Sequence, residues 1–183
     1  MAVTLNETPS GNRLHIGIFG KTNSGKSSFI NTFSGQKVSI VADVAGTTTD
    51  PVYKPMEIYP LGPCVHIDTA GFDDEGELGA LRIEKTSLAA QKTELAIILF
   101  CGDEMVQELK WYNYFKKRQT PVIPVLGKAD LYTQEQKEYL IQMIQKNTGE
   151  TVCPVSSETG EGIRKLKELL AEKIPEGYGN RMI

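Results

Sequence analysis

Residues 14–33 of the chain read LHIGIF-GKTNSGKS-SFINTF. An apolar run typical of a buried strand leads into Gly20–Ser27, which matches the pattern G-x4-G-K-S, and a helical pattern over Ser28–Phe33 follows. Glycines let a backbone wrap around phosphate groups with its N–H groups pointing inward, and the N-terminal end of the next helix adds positive potential. The alternative is a plain glycine turn with a surface lysine, but the flanking strand and helix favour a phosphate loop. Lys26 is then expected to reach the β- and γ-phosphates, and the Ser27 hydroxyl to ligate Mg2+.

Apolar runs alternate with amphipathic stretches along the rest of the chain. The predicted strands cover residues 14–19, 52–58, 64–67, 95–100, 122–125 and 151–155. The predicted helices cover residues 26–33, 79–92, 105–118, 133–147 and 162–174. Such alternation is typical of βαβ units in a mostly parallel sheet covered on both faces.

The second predicted strand differs from the others because it contains Pro55, which has no N–H to donate to a sheet. We therefore place it at an edge, joined to the third strand by the turn at 61–63 as an antiparallel hairpin. The fold class predicted is α/β, with three layers, a six-stranded and mostly parallel sheet, one antiparallel edge strand and five helices.

Length and composition exclude several classes of protein. The 183 residues suit one domain, and 20 basic against 23 acidic side chains give a net charge of −3. Proteins that bind nucleic acid or anionic membranes usually carry an excess of basic residues, so neither is expected as a partner. The longest apolar run, Leu95–Cys101, is too short to span a membrane, and residues 1–13 lack the apolar segment of a secretory signal. The 3 cysteines have no paired spacing, so we expect a cytoplasmic protein without disulfides.

A second loop supplies the carboxylate that a magnesium-dependent nucleotide hydrolase needs. Asp68 follows the predicted strand Cys64–Ile67, and Gly71 offers an N–H to the γ-phosphate. A lone aspartate at a strand end is usually a helix cap. Its pairing with the phosphate loop favours the magnesium role here.

Five short motifs occur in the order seen in translational-type P-loop GTPases. They are the phosphate loop at 20–27, Ala45–Asp50, Asp68–Gly71, Gly127–Asp130 and Val155–Ser157. The set resembles this family, and more narrowly its Era-like branch, which includes the bacterial tRNA-modification GTPase. The resemblance covers residues 14–174. It implies a P-loop GTPase fold, hydrolysis of GTP to GDP, and Mg2+ held by Ser27, Thr48 and Asp68.

The fourth motif indicates which base is bound. An aspartate at Asp130 can accept hydrogen bonds from guanine N1 and the exocyclic amine, whereas adenine has no such donor pair. The stem of Lys128 would cover the ring, and the resemblance gives Ser157 a backbone N–H toward guanine O6. A polar turn after the fifth strand is the alternative. Gly127 stands where the family has an asparagine that ties the base loop to the phosphate loop, so weaker nucleotide binding is expected.

The residue that follows the third motif bears on hydrolysis. Phe72 stands where many regulatory GTPases have a glutamine that orients the attacking water. The resemblance implies that Asn23 and Thr47 instead hold a K+ ion in place of an arginine finger, and that Thr48 contacts Mg2+ and the γ-phosphate. We therefore expect slow, K+-stimulated hydrolysis of GTP.

These interpretations give one set of nucleotide-binding residues. It consists of Asn23, Ser24, Gly25, Lys26, Ser27, Ser28, Thr48, Asp68, Gly71, Lys128, Asp130, Ser156 and Ser157. Within the set, the predicted catalytic contacts are made by Asn23, Lys26, Thr48 and Gly71.

Two stretches suggest a narrower relationship. Residues 68–86, DTAGFDDEGELGALRIEKT, and residues 8–13, TPSGNR, resemble the FeFe-hydrogenase maturation GTPase. In that family a dimerisation domain and a cysteine-rich iron–sulfur domain follow the GTPase domain. The resemblance implies a leader at 1–13, a GTPase domain at 14–174 and a linker at 175–183, with the absent domains and hydrogenase maturation proteins as partners.

The function implied is that of a GTP-binding and GTP-hydrolysing switch domain of an iron–sulfur cofactor maturation scaffold. One alternative, which Phe72 favours, is an assembly module licensed by nucleotide with negligible hydrolysis. Another is a ribosome- or tRNA-associated GTPase of the same branch, against which the net charge of −3 counts.

Overall fold

The computed structural model describes residues 14–21, 24–34, 52–58, 62–68 and 90–174. Its strands are β1 (Leu14–Phe19), β2 (Val52–Ile58), β3 (Gly62–Asp68), β4 (Leu95–Phe100), β5 (Val122–Leu126) and β6 (Cys153–Pro154). Its helices are α1 (Lys26–Ser34), α2 (Val106–Lys117), α3 (Gln134–Thr148) and α4 (Ile163–Lys173), with a 3-10 turn at Ala129–Leu131. Of the helix predicted at 79–92, only residues 90–92 are described, and they are helical.

The six strands form one sheet in the order β2-β3-β1-β4-β5-β6. β2 pairs antiparallel with β3 from Val52 opposite Asp68 to Ile58 opposite Gly62, and every other neighbouring pair is parallel. The predicted antiparallel edge hairpin is therefore confirmed, but its predicted turn at 61–63 is wrong, because Gly62 and Pro63 pair with β2 as part of β3. From β1 the sheet extends to β3 on one side and to β4 on the other, so the carboxyl end of β1 lies where the direction of winding reverses. Crevices at such points are the usual ligand sites of open α/β sheets.

The core lies in two layers on opposite faces of the sheet, and β4 shows this directly. Its six residues are all buried: Leu95, Ile97 and Leu99 belong to one apolar cluster, and their neighbours in sequence belong to the other. Helices α1 and α4 pack into the first cluster, α2 and α3 into the second. A strand buried on both faces reads as a continuous apolar run, and the three-layer prediction is confirmed.

Helix α3 begins and ends where its sequence specifies. The Gln136 N–H donates to Thr133 Oγ1 at 3.2 Å, and the Thr133 N–H donates to Gln136 Oε1 at 3.0 Å. This reciprocal capping box satisfies two backbone donors that the first turn leaves unpaired. At the other end, Gly149 adopts the left-handed conformation with φ 72°, which glycine tolerates best.

All three cysteines lie among the described residues, and they form no disulfide. Cys64 and Cys153 are buried and Cys101 is partly buried. Burial raises the pKa of the Cys64 thiol to about 12 and that of Cys153 to about 11. The residues that the structure describes contain no grouping of histidine, cysteine and acidic side chains suited to a metal ion. Among those same residues, no helix has both the length and the apolar character needed to cross a membrane.

Candidate nucleotide-binding site

A cavity of about 490 Å³ opens at the carboxyl ends of the parallel strands. Ser24, Gly25 and Ser28 line it from the phosphate loop and the first turn of α1. Lys128, Asp130 and Ser157 line it from the loops after β5 and β6. The structure thus brings three predicted loops, the first of them about 100 residues before the other two, to one cavity of the size that small-molecule ligands occupy.

The phosphate loop is braced from within by Ser24. Its N–H and its hydroxyl both donate to the Lys21 carbonyl, at 3.1 and 2.7 Å, and the side chain is almost fully buried. A Cβ at Gly20 would lie 2.7 Å from Ser24 Oγ, so this close turn requires glycine there. Gly25 has φ 79°, in the left-handed region that favours glycine, and its carbonyl accepts the first bond of α1 from the Phe29 N–H at 2.9 Å. Ser24 therefore stabilises the part of the loop that the structure describes.

The first turn of α1 carries the side chains predicted to meet phosphate and metal. Ser27 and Ser28 are exposed and Lys26 is partly buried. Asp68 ends β3, which runs parallel to β1 with Ile67 opposite Gly17. A serine hydroxyl and an aspartate carboxylate are oxygen donors of the kind that Mg2+ prefers, and their joint role in holding Mg2+ stays a prediction.

A lysine of the phosphate loop is tied to helix α2, which sequence reasoning did not predict. Lys21 Nζ donates to the Glu104 carbonyl at 2.7 Å and lies 3.4 Å from Glu108 Oε1. Glu108 is only 1% exposed, and neither of its oxygens meets hydrogen-bond geometry, so this ion pair supplies its charge compensation. Burial raises the pKa of the Glu108 carboxyl, while Lys21 acts in the opposite direction.

The loop after β5 is shaped for a carboxylate to face the cavity. Lys128 has φ 57°, which turns the chain sharply into the 3-10 turn, and the Ala129 N–H donates to the Val155 carbonyl at 2.9 Å. Ser156 Oγ donates to Asp130 Oδ1 at 2.7 Å. Asp130 is exposed toward the cavity that it lines, whereas Ser156 is fully buried behind it. Ser156 therefore acts on the site by holding Asp130.

The loop after β6 is fixed to both of its neighbours. Ser156 Oγ accepts from the Thr159 N–H at 3.1 Å, and the Thr32 hydroxyl of α1 donates to the Ser157 carbonyl at 3.3 Å. Leu99, Leu131 and Glu158 also line the cavity, and the sequence analysis did not single them out. Their apolar or acidic character carries no motif that could have identified them.

Several predicted site residues lie outside the described residues, namely Asn23, Thr47, Thr48 and Gly71. The predicted K+ site depends on the first two, and the γ-phosphate contacts on the last two. Of Asp68, only the backbone position is described. Their roles stay predictions.

Comparison with known proteins identifies the family. Residues 15–128 match the family described as 50S ribosome-binding GTPase. The chain belongs to this family of P-loop GTPases. It is 33% identical over 186 residues to the GTPase Der of Wolinella succinogenes, covering 97% of this chain and 39% of that protein. It is 32% identical over 168 residues to the tRNA modification GTPase MnmE of Chromobacterium violaceum, covering 90% of this chain and 35% of that protein.

A solved structure supports the same assignment. An Era variant of Aquifex aeolicus bound to GDP and AlF4− matches with a TM-score of 0.74 and 27% identity, over 89% of this chain and 57% of that one. Together these matches confirm the P-loop GTPase fold and the membership of this chain in a family of GTPases. The chain spans less than two fifths of the length of either curated relative named above.

A second Era structure bears on cofactor and partners. It contains MgGDPNP and nucleotides 1506–1542 of 16S ribosomal RNA, and it matches with the same TM-score of 0.74. That relative therefore takes a magnesium-bound guanine nucleotide and also binds RNA. The expectation that this chain has no nucleic-acid partner is not confirmed.

Proposed function

We propose that the cavity between the phosphate loop and the base loop binds GTP and GDP, and that the chain is a guanine-specific switch domain. The single observation that carries the proposal is the Asp130 carboxylate, anchored by Ser156 at 2.7 Å in the same cavity as the phosphate loop. A fixed acceptor at one end and a loop built for phosphate at the other match the two ends of a nucleotide.

Specificity for guanine follows from the chemistry of that acceptor. A carboxylate accepts hydrogen bonds only, so it pairs with guanine N1–H and the exocyclic amine and faces an acceptor on adenine. An unpaired polar group in a desolvated contact costs about 1–3 kcal/mol, and more when it is charged. In this proposal the Lys128 stem covers the base and the Ser157 N–H donates to guanine O6.

For hydrolysis, the residues of this chain hold the phosphates and the metal. Lys26 and the N–H groups of Gly25 and Ser28 stabilise negative charge on the phosphates, and Gly71 contacts the γ-phosphate. Ser27, Thr48 and Asp68 would hold Mg2+, which when bound would neutralise negative charge that develops on the phosphates.

Two further features set the rate and the output. Asn23 and Thr47 would hold K+, which would supply positive charge at the site, and Phe72 in the water-orienting position keeps hydrolysis slow. Loss of the γ-phosphate removes the contacts of Thr48 and Gly71, which releases the segments that carry them. The domain thereby signals its nucleotide state to whatever it is joined to or bound by.

Turnover of GTP in K+ and in Na+ buffers, for the wild type and for Lys26→Ala, tests this proposal. We expect hydrolysis that is faster in K+ and that Lys26→Ala abolishes. Equal rates in the two buffers would remove the role of Asn23, and activity that survives Lys26→Ala would place the hydrolysis in another protein.

We further propose that the GTPase unit at 14–174 serves iron–sulfur cofactor maturation of an FeFe hydrogenase, together with dimerisation and iron–sulfur domains. The support is the resemblance of residues 68–86 and 8–13 to that maturation GTPase. The test is maturation of the hydrogenase in a strain whose own maturation GTPase is deleted. Restoration of activity is expected when this chain is joined to those two domains, and not when Lys26→Ala is also present.

An RNA-associated role is the second candidate, because the matched family is described as ribosome-binding and an Era structure contains ribosomal RNA. Titration with a 16S ribosomal RNA fragment at several salt concentrations separates the two. Binding that weakens steeply with salt would favour the RNA role. Absence of binding at low salt in both GTP and GDP would favour the maturation role.

A further inference from the structure

Backbone conformation does not explain why residue 127, the first residue of the base loop (Gly127–Asp130), is a glycine. Its conformation lies outside the left-handed region, so a larger residue could adopt it. The space beside Gly127 is restricted, however, because a Cβ at this residue would lie 3.0 Å from Leu99 Cδ1 and 3.4 Å from Leu99 Cγ. A side chain at residue 127 would therefore require the Leu99 side chain to shift by a few tenths of an ångström.

Leu99 also reaches the phosphate loop. A Cβ at Gly20, the first residue of that loop, would lie 3.3 Å from Leu99 Cβ. Leu99 is 1% exposed and contributes to the wall of the cavity. One buried apolar side chain at the end of the central strand β4 therefore packs over the first residue of each nucleotide-binding loop.

We propose that Leu99 is a positioning residue that joins the phosphate loop to the base loop by packing. The packing of Leu99 takes the place of the hydrogen bonds by which an asparagine at residue 127 would join the two loops. Gly127 and Leu99 are therefore matched in size, and the glycine makes room for the leucine. The inference rests on the proposed guanine-nucleotide function and deepens it.

The chemistry of the wall supports a packed link over a polar one. Gly127 is buried, its N–H already donates to the Phe100 carbonyl at 2.9 Å, and the adjoining cavity wall contains Leu99, Phe29 and Val155. An amide side chain placed there would push against Leu99 and lie beside this apolar part of the wall, which is unfavourable for a polar group. Removing the Leu99 side chain instead would leave a void between the loops.

Loss of the packing by Leu99 should weaken the binding of a ligand that contacts both loops more than the binding of a ligand that contacts only one. The experiment measures the affinity for GDP, and for guanosine by competition, in the wild type, Gly127→Asn, Leu99→Ala and the double variant. Each single change is expected to weaken GDP about tenfold while changing guanosine by less than about threefold. In the double variant the amide gains room, so its loss of GDP affinity should be at least about fivefold smaller than the product of the single losses.

Leu140→Ala is the matched control, because Leu140 is also a buried leucine but packs in the apolar cluster on the other face of the sheet. It should lower the melting temperature while keeping the ratio of GDP to guanosine affinity. If Leu99→Ala does not fold, Leu99→Val and Gly127→Ala are used for the same cycle with smaller changes.

Two results would overturn the inference while the wild type binds GDP. One is a Gly127→Asn variant that binds GDP as tightly as the wild type or more tightly. The other is losses that multiply in the double variant, which would show that the two residues act independently. A wild type that binds neither GDP nor GTP would instead overturn the proposed function itself, and the inference with it.

Discussion

Removal of the Ser156 hydroxyl tests how the site holds its base acceptor. In the folded protein this hydroxyl donates to Asp130 Oδ1 at 2.7 Å and accepts from the Thr159 N–H at 3.1 Å, and the serine is fully buried. Ser156→Ala deletes both bonds without adding volume. Asp130 then keeps its charge but loses the group that fixes its orientation.

The size of the effect follows from the kind of bond that is lost. A hydrogen bond to a charged group contributes about 1.5–3 kcal/mol, and each 1.4 kcal/mol is a factor of ten in affinity. Because Asp130 is exposed, water replaces part of the lost bond, which places the expected loss at the lower end. We expect Ser156→Ala to weaken GDP about tenfold.

Competition against a fluorescent GDP analogue measures this loss, with IDP as the second ligand. IDP lacks the exocyclic amine, so it uses less of the Asp130 carboxylate than GDP does. The preference for GDP over IDP should therefore fall in Ser156→Ala. Affinity for inorganic pyrophosphate, which occupies only the phosphate loop, should not change.

Thr148→Val is the matched control for loss of a buried hydroxyl. Thr148 Oγ1 donates to the Ile144 carbonyl at 2.8 Å and accepts from the Glu150 N–H at 3.2 Å, at the end of α3 away from the cavity. It should reduce stability while leaving GDP affinity intact. A folded Ser156→Ala protein with wild-type affinity and wild-type preference for GDP over IDP would refute this account of Asp130.

Three further predictions concern stability and reactivity. Burial raises the pKa of Glu108 above its ordinary 4.5, so the folded state holds its proton more tightly than the unfolded state. The free energy of unfolding of the wild type should therefore fall relative to that of Glu108→Gln as the pH rises from 4.5 through the raised pKa. Urea unfolding measures this, and a constant difference between the two proteins across that pH range would contradict it. Because burial raises the pKa of Cys64 to about 12 and that of Cys153 to about 11, a thiol reagent at neutral pH should label Cys101 first and the other two only on unfolding. Thr133→Ala removes the capping box of α3 and should cost about 1 kcal/mol in urea unfolding, against no change if the box is unimportant.

The central strands β1 and β4 were predictable because a strand buried on both faces requires a continuous apolar run, and both have the predicted bounds. The edge strand β2, which contains Lys54, Pro55 and Glu57, also has the predicted bounds. β3 starts at Gly62, two residues early, because the hairpin extends pairing to Ile58. β6 is shorter than the predicted 151–155, since only Cys153 and Pro154 pair with β5.

The polar motifs of the site were predictable for a different reason, which is that their chemistry depends on local spacing. The motif Gly20–Ser27 begins directly after β1 and ends in the first turn of α1, and Lys128–Asp130 leads into the 3-10 turn after β5. Both motifs are local, so the sequence specifies them. That they share one cavity follows from the parallel order of the strands.

The contacts that sequence reasoning missed are long-range pairs. Glu108 has the appearance of an ordinary polar residue in the first turn of a helix, and only its pairing with Lys21, 87 positions earlier, explains its burial. Gly127 was interpreted only as a missing asparagine. The packing of Leu99 against it depends on how two neighbouring strands end, which no local pattern records.

The central claim is that Asp130 selects guanine, and affinity for GDP, ADP and XDP in the wild type and Asp130→Asn tests it most directly. The asparagine side chain has an NH2 group that can donate a hydrogen bond to xanthine O2. It lacks one of the two carboxylate oxygens that accept hydrogen bonds from guanine N1–H and the exocyclic amine. The account predicts that the wild type prefers GDP over both others by about a hundredfold or more, and that Asp130→Asn prefers XDP. A wild type that binds ADP as tightly as GDP, or an Asp130→Asn variant that keeps its preference for GDP, would contradict it.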